Sequence, residues 1–446
     1  MPRIIAAIRR GQVKILVQLG AAVFAAMPVW AQEGDPVMAK GDVSWMMTAT
    51  VLVLFMTLPG LALFYGGLVR NKNMLSVLMQ TTIIACMVMV IWVVYGYSAA
   101  FGGGTSAYWG GLDKAFLAGV GVDSMAPTFS EGYVIPEYLF IAFQMTFAAI
   151  TPALIVGSFA ERVKFSAVLL FSAVWVTFAY FPIAHMVWDA SGLIFNMGAI
   201  DFAGGTVVHI NAGVAALIGC LMIGERIGYK RENMAPHSMV MTMIGASMLW
   251  VGWFGFNVGS NLEANGGATL AMINTFVATA AAVLAWSLLE ALQRGKASML
   301  GAASGMVAGL VAITPACGTV GPLGGIALGI IAAAVCYFFV TVVKNSFGYD
   351  DSLDVFGIHG IGGIIGAVGT GIFSAASLGG VHGDGYSIGA QTLVQTEAVV
   401  ITVIWTAVVS FVAFKVIDMT IGLRVDRDSE RQGLDLSAHG ESAYHG

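Results

Sequence analysis

Charge is what this sequence has least of. Asp, Glu, Lys and Arg together make up 10% of its 446 residues, too little ionic surface to keep a compact body of this size dispersed in water. The 20 basic and 25 acidic side chains form no long run of either sign, which disfavours nucleic acid as a partner. Cysteine is scarce as well: Cys86, Cys220, Cys317 and Cys336 are scattered in or beside apolar segments without CxxC spacing, so neither a disulfide framework nor a zinc site is suggested. No G-x-x-x-x-G-K-[ST] stretch is present to cradle a nucleotide, and no lysine lies in mid-span to hold a retinal. Nucleotide-driven and light-driven pumping therefore lack their equipment, and no cofactor is expected.

The remainder is apolar. Hydrophobic residues reach 58% before the 57 glycines are added, whereas a soluble domain holds roughly 45–50% with glycine included. No ordinary globule buries that share, so the chain reads as an all-α integral membrane protein. Residues 1–31 combine a basic start (Arg3, Arg9, Arg10, Lys14), an apolar run from Ile15 to Met27 and a small-residue exit at Val29-Trp30-Ala31. That is the pattern of a signal peptide cleaved after Ala31, leaving a mature chain that begins near Gln32. The run is short for a hydrocarbon core of about 30 Å, which argues against an uncleaved anchor.

Beyond it, eleven stretches are long enough to span: 43–68, 75–98, 137–156, 165–183, 204–223, 239–256, 269–292, 299–313, 321–343, 355–373 and 396–415. Alternate connections carry Arg70 and Lys72, Arg162 and Lys164, Arg226, Lys230 and Arg231, Arg294 and Lys296, then Lys344; the end of the chain adds Lys415, Arg424, Arg427 and Arg431. Fourteen basic residues thus fall on one side, against Lys40 and Lys114 on the other. The positive-inside rule places the N-terminus outside and the tail in the cytoplasm. A domain of residues 32–421 and a cytoplasmic regulatory tail of residues 422–446 follow.

Eleven spans invite a search for two five-helix halves of opposite orientation plus one extra helix. The fifth span opens Asp201-Phe-Ala-Gly-Gly-Thr-Val-Val-His209 and the tenth Asp354-Val-Phe-Gly-Ile-His359, each an acid followed by a histidine in a glycine-rich apolar helix, with Gly213 or Gly363 four residues on. An inverted repeat would bring the two histidines together near mid-membrane. At 1.5 Å per residue His209 lies about 12 Å along its helix from Asp201, and His359 about 7 Å from Asp354. An ionisable side chain at such depth is costly, so its default reading is a pathway or relay. A neutral imidazole donates through one nitrogen and accepts through the other, which suits a neutral polar solute or a proton. Spacing supplies no third and fourth ligand for a metal. No serine, cysteine or metal constellation surrounds the histidines, so hydrolysis or group transfer is not expected and the chain does not read as an enzyme.

Asp201-Phe-Ala-Gly-Gly-Thr-Val-Val-His-Ile-Asn, Gly252-Trp-Phe-Gly-Phe-Asn-Val-Gly-Ser, Thr314-Pro-Ala-Cys-Gly and Asp354-Val-Phe-Gly-Ile-His-Gly together resemble the ammonium transporter family, its bacterial members more than the related Rhesus proteins. The resemblance implies a homotrimer in the bacterial cytoplasmic (inner) membrane, each subunit with its own pore. It also implies an outer vestibule for ammonium at Phe147, Trp188 and Ser260, a two-phenylalanine gate of Phe147 and Phe256, a pore wall at Trp253, and a twin-histidine pair, His209 and His359. Some fungal members carry glutamate in place of the first histidine; this chain does not. An aromatic face attracts a cation by about 0.5–2 kcal/mol, and a serine hydroxyl can replace one water of hydration. Without those motifs, Phe147 and Trp188 would read as packing or interfacial residues, and Asp201 as a helix cap, to which the family reading adds electrostatic support of the bound cation. By composition the tail reads as a solvated terminus; its resemblance to bacterial tails implies docking of a trimeric PII nitrogen regulatory protein. Two other readings stay open. A Rhesus-type passive gas channel would carry no current. A membrane ammonium sensor would signal through its tail, and no signalling domain follows Gly446.

Overall fold

The computed structural model describes residues 36–444, and all eleven expected stretches are helical in it; the expected leader and the Gln32 start lie outside the described residues. The helices are α1 Lys40–Leu68, α2 Asn71–Phe101, α3 Glu137–Ser158, α4 Phe165–Asn196, α5 Gly205–Ile223, α6 Met239–Gly259, α7 Gly266–Arg294, α8 Met299–Ile313, α9 Pro322–Phe347, α10 Phe356–Phe373 and α11 Ile388–Thr420. Ten are long and apolar enough to cross a membrane; α8, equally apolar, has 15 residues and spans about 22 Å. Between α2 and α3 the chain forms a short antiparallel ribbon, β1 Met125–Pro127 with β2 Val134–Pro136.

Helix ends extend past the apolar runs because local capping, not hydropathy, terminates them. Ser238, Asn265, Ser298 and Ser387 accept hydrogen bonds from first-turn amides of α6, α7, α8 and α11. In this way α11 reaches 33 residues, well beyond the expected 396–415.

Glycine decides how closely the helices approach. On α6, Gly245, Gly252, Gly255 and Gly259 recur at intervals of seven, three and four, which places them on one face. A Cβ on Gly245 would lie 2.2 Å from the Phe64 amide nitrogen, and one on Gly255 would lie 2.5 Å from the Ala49 carbonyl oxygen, so α1 packs backbone to backbone against that stripe.

Contacts between connections fix the relative directions of α5 and α10. The Gly224 carbonyl, just past α5, accepts from Arg162 Nε at 2.7 Å, and the same guanidinium donates to Asp350 O, just before α10, at 2.7 Å. Toward the other end, Gln395 Nε2 donates to Ile200 O, before α5, at 2.7 Å and to Ala367 O, late in α10, at 2.9 Å. The two helices therefore run antiparallel.

The Arg162 end of the bundle collects paired charge. Arg70 meets buried Glu161 at 2.6 Å, Arg226 meets Asp350 at 2.7 Å, Arg424 meets buried Glu430 at 2.8 Å, and Lys344 pairs with Asp354. Arg162 is fully buried and donates to four carbonyls and Ser352 Oγ; burial pulls its guanidinium down to about 10. Burial alone would raise Asp350, but hydrogen bonds from Arg226 and the charge of Arg162 hold it below the usual carboxylate range.

The tail is not a solvated terminus. It folds as α12 Arg427–Gln432 and α13 Leu434–His439 against this same end. Leu434 N donates to Asn73 Oδ1 at 2.8 Å, Ser76 N to Asp435 Oδ1 at 2.8 Å, and Ile227 N to Glu430 Oε1 at 2.7 Å. Average polarity conceals this docking, because the tail's acids satisfy particular amides, one near the start of α2 and one in the connection after α5.

Candidate functional site

His209 and His359 both sit in wide turns at the start of their helices, Gly205–Ile210 and Phe356–Gly360, the kind of bulge that recurs at functional positions. Their Nδ1 atoms are 3.2 Å apart and their ring centroids 5.3 Å apart, with the planes inclined by 26°. One Nδ1 must carry a proton and the other must not, so the pair shares a single N–H. Both rings are buried, and Nε2 of His209 has no protein partner. Glycine makes this approach possible: a Cβ on Gly213 would fall 2.3 Å from the Gly360 Cα and nitrogen.

A column of aromatic rings leads to the pair. Trp188 meets Phe147 edge to face at 5.9 Å, Phe147 stacks on Phe256 at 4.0 Å and 23°, and Phe256 lies 5.9 Å from the His209 ring. Trp253 stacks on His209 at 5.3 Å and 22°. At 4.0 Å the two phenylalanine rings are in van der Waals contact and leave no gap between them. Each indole N–H has its own acceptor: Trp188 Nε1 donates to Asp201 O at 2.9 Å, and Trp253 Nε1 to Thr314 Oγ1 at 2.9 Å. Ser260 stands one turn beyond Phe256 and donates to its carbonyl at 2.8 Å, leaving the hydroxyl lone pairs free. Below Phe256 a cavity is lined by both histidines, Trp253 and the apolar side chains of Leu61, Ile150, Val208, Leu249 and Val307. No sequence signal separates these five from ordinary core residues.

Asp201 uses both oxygens. Oδ1 accepts from the Gly204 and Gly205 amides at 2.9 and 2.6 Å, and Oδ2 from the Thr206 and Val207 amides at 2.8 and 3.1 Å and from the Thr206 hydroxyl. Asparagine would turn an amino group toward these donors, so Asp201→Asn does not preserve the cap. The counterpart acid before α10 differs from the one expected. Asp354 sits at φ +60° and pairs with Lys344, whereas Asp351, buried, accepts from the Val355 amide at 3.1 Å and the Phe356 amide at 2.8 Å. Asp351 precedes His359 by eight residues, as Asp201 precedes His209, a spacing legible in the sequence. Burial, followed by the charge of Asp354, pushes the Asp351 carboxyl up to about 6.

The profile of the Ammonium Transporter Family matches residues 44–444. The ammonium transporter of Aquifex aeolicus is 46% identical over 415 residues, covering 93% of this chain and 96% of that protein. Among solved structures, Mep2 of Candida albicans superposes with a TM-score of 0.81 at 33% identity, covering 91% of each chain. A chain described as a sensor Amt protein superposes at 0.82 with 26% identity, covering 90% of this chain and 98% of its own. With ten membrane-length apolar helices, the chain is a multi-pass membrane protein.

Proposed function

The chain belongs to the ammonium transporter family, and from that premise we propose that it carries ammonium nitrogen across the membrane as ammonia, along the column from Trp188 to His359. The observation that carries this reading is the buried imidazole pair, sharing one N–H at 3.2 Å beneath a closed pair of phenylalanines. Ammonium is recruited at Phe147, Trp188 and Ser260 through cation–π attraction and the serine lone pairs. It gives up its proton near the Phe147–Phe256 stack. Neutral ammonia then crosses the apolar cavity and meets the unpartnered Nε2 of His209. Potassium, close to ammonium in size and charge, has no proton to give and faces the full cost of dehydration. The proton follows separately along His209 and His359, which makes transport electrogenic. Asp201 holds the start of α5 and adds a negative charge beneath the vestibule.

Eleven crossings in two inverted five-helix halves plus α11 agree with the antiparallel run of α5 and α10. The paired basic end is cytoplasmic, the N-terminus lies outside, and the membrane is the bacterial inner one. Three copies assemble side by side, and exposed Leu284, Leu288 and Leu292 on α7 offer an apolar stripe to lipid or neighbouring subunits. A PII-type protein docks on the cytoplasmic end and its tail; unchanged binding after truncation at Gly422 would refute the tail's share.

The test is the transient current evoked in proteoliposomes by ammonium and then by potassium, against empty liposomes. An ammonium-specific current that vanishes when both histidines are replaced by leucine supports the proposal. Flux without current points to a Rhesus-type gas channel. The sensor reading draws on the likeness to the sensor Amt protein and would follow from absence of both signals.

A further inference from the structure

Asp351 is a buried acid at the foot of α10, held on a fixed stretch of backbone. It is 1% exposed, and its backbone is held on several sides: its carbonyl accepts from Lys344 Nζ at 3.1 Å, the next two amides donate to Ser158 O and Gly157 O at 3.1 Å each, and Asp350 is clamped by Arg226 and Arg162. The side chain hangs from this fixed point and accepts from Val355 N and Phe356 N, the amides that open α10. Those two donors precede the first complete helical turn and have no carbonyl of their own to reach. His359 lies one turn further on, in a wide turn whose direction its start determines. On the other side of the pair, Asp201 holds Gly204 through Val207 in the same way, at the same separation of eight residues from His209.

We propose that Asp351 is a positioning residue for His359: its buried carboxylate anchors the opening turn of α10 to the rigid cluster of connections and so sets the height and tilt of the imidazole that faces His209. The role in transport rests on the reading above; the positioning itself does not. Without the carboxylate the two amides lose their acceptor, the turn rewinds toward ordinary helix, and His359 rotates about the axis away from the 3.2 Å contact. The close approach of Gly213 to Gly360 limits how far α10 can shift, so the expected fault is a misdirected ring in a folded protein.

The experiment uses the full chain in proteoliposomes with nitrogen-15 in its histidines, comparing wild type with Asp351→Ala, which removes both acceptors, and Asp351→Asn, which keeps the shape and one acceptor. The paired Nδ1 resonances report positioning, and ammonium flux reports its consequence. In Asp351→Ala the pairing signal disappears and flux falls about tenfold, while Asp351→Asn retains the signal in part and loses about threefold. Unchanged pairing and flux in Asp351→Ala, or an equal loss of pairing in the two variants at wild-type melting temperature, overturns the proposal. If Asp351→Ala does not fold, Asp351→Asn decides: weakened pairing with reduced flux supports the role, and wild-type values for both overturn it. Absence of flux in the wild type would sink the transport reading and leave the resonances to judge positioning.

Discussion

Adding one methyl group at Gly213 tests whether the separation of the histidines governs transport. The new Cβ would lie 2.3 Å from the Gly360 Cα and nitrogen and 3.2 Å from the His359 carbonyl carbon, backbone atoms that cannot swing aside. Restoring an ordinary contact requires α5 and α10 to part by about 1 Å. The Nδ1 pair, now 3.2 Å apart, would open to about 4 Å and cease to be hydrogen-bonded. Alanine gains about 1 kcal/mol over glycine within a helix, whereas overpacking costs about 1–3 kcal/mol. The net change in stability is therefore small, and Gly213→Ala should reach the membrane folded. Ammonium flux in proteoliposomes, however, should fall about ten- to a hundredfold, the usual penalty for a misplacement of this size between groups that must cooperate. Gly41→Ala, where a Cβ meets nothing within 4 Å, serves as the control and should leave flux unchanged. Wild-type flux in Gly213→Ala, with histidine resonances still paired, would refute the reasoning.

Thr314→Val removes the acceptor of the buried Trp253 indole N–H, so it should lower stability by about 1–3 kcal/mol in detergent melts, while Thr314→Ser should retain most of it. Asp350→Ala strips buried Arg226 of its hydrogen-bonded carboxylate, leaving it only the 3.6 Å contact to Glu161, and removes a nearby negative charge from Arg162; it should cost about 3–5 kcal/mol, visible as lost expression and a lower melting temperature. The Asp351 carboxyl is raised in the folded state to about 6, so the fold takes up a proton there that the unfolded chain still lacks; stability from this group rises as pH falls from 7 through 6 toward the ordinary carboxyl range. The melting temperature of wild type should therefore gain on that of Asp351→Asn between pH 7.5 and pH 5, and parallel curves for the two would count against it. Truncation after Gly422 strips the acceptor from Ser76 N and the one amide, Leu434 N, that donates to Asn73 Oδ1, and should lower the melting temperature by several degrees, as expected for a loss of about 1–3 kcal/mol.

Much of the molecule could be read along the chain. Membrane residence, the helical stretches and the segregation of basic residues follow from hydropathy and charge, which each residue contributes almost independently of its distant neighbours. His209 and His359 stood out for the same reason, since a histidine in an apolar run needs an explanation wherever the fold puts it. Helix ends were less legible. Single caps such as Ser387 extend α11 into polar sequence that a hydropathy window counts as loop. Average polarity makes the tail read as solvated, whereas Leu434 and Asp435 bond Asn73 and Ser76 at the start of α2, and Glu430 bonds Ile227 in the connection after α5.

Contact is a property of pairs, and this is where only the tertiary structure decides. That His209 meets His359 across 150 residues, that Trp253 covers one of them, and that Val208 lines a cavity while its neighbour Val207 does not, all depend on how antiparallel helices are rotated against one another. The acid before α10 shows the limit most clearly. Asp350, Asp351 and Asp354 are chemically the same residue within five positions, yet one is clamped by arginines, one caps the helix and one pairs with a lysine. Sequence by itself determined that this chain lives in a membrane and keeps two histidines inside it; the direction of each side chain, set by close packing at glycines and by buried hydrogen bonds between distant connections, determined what those histidines face.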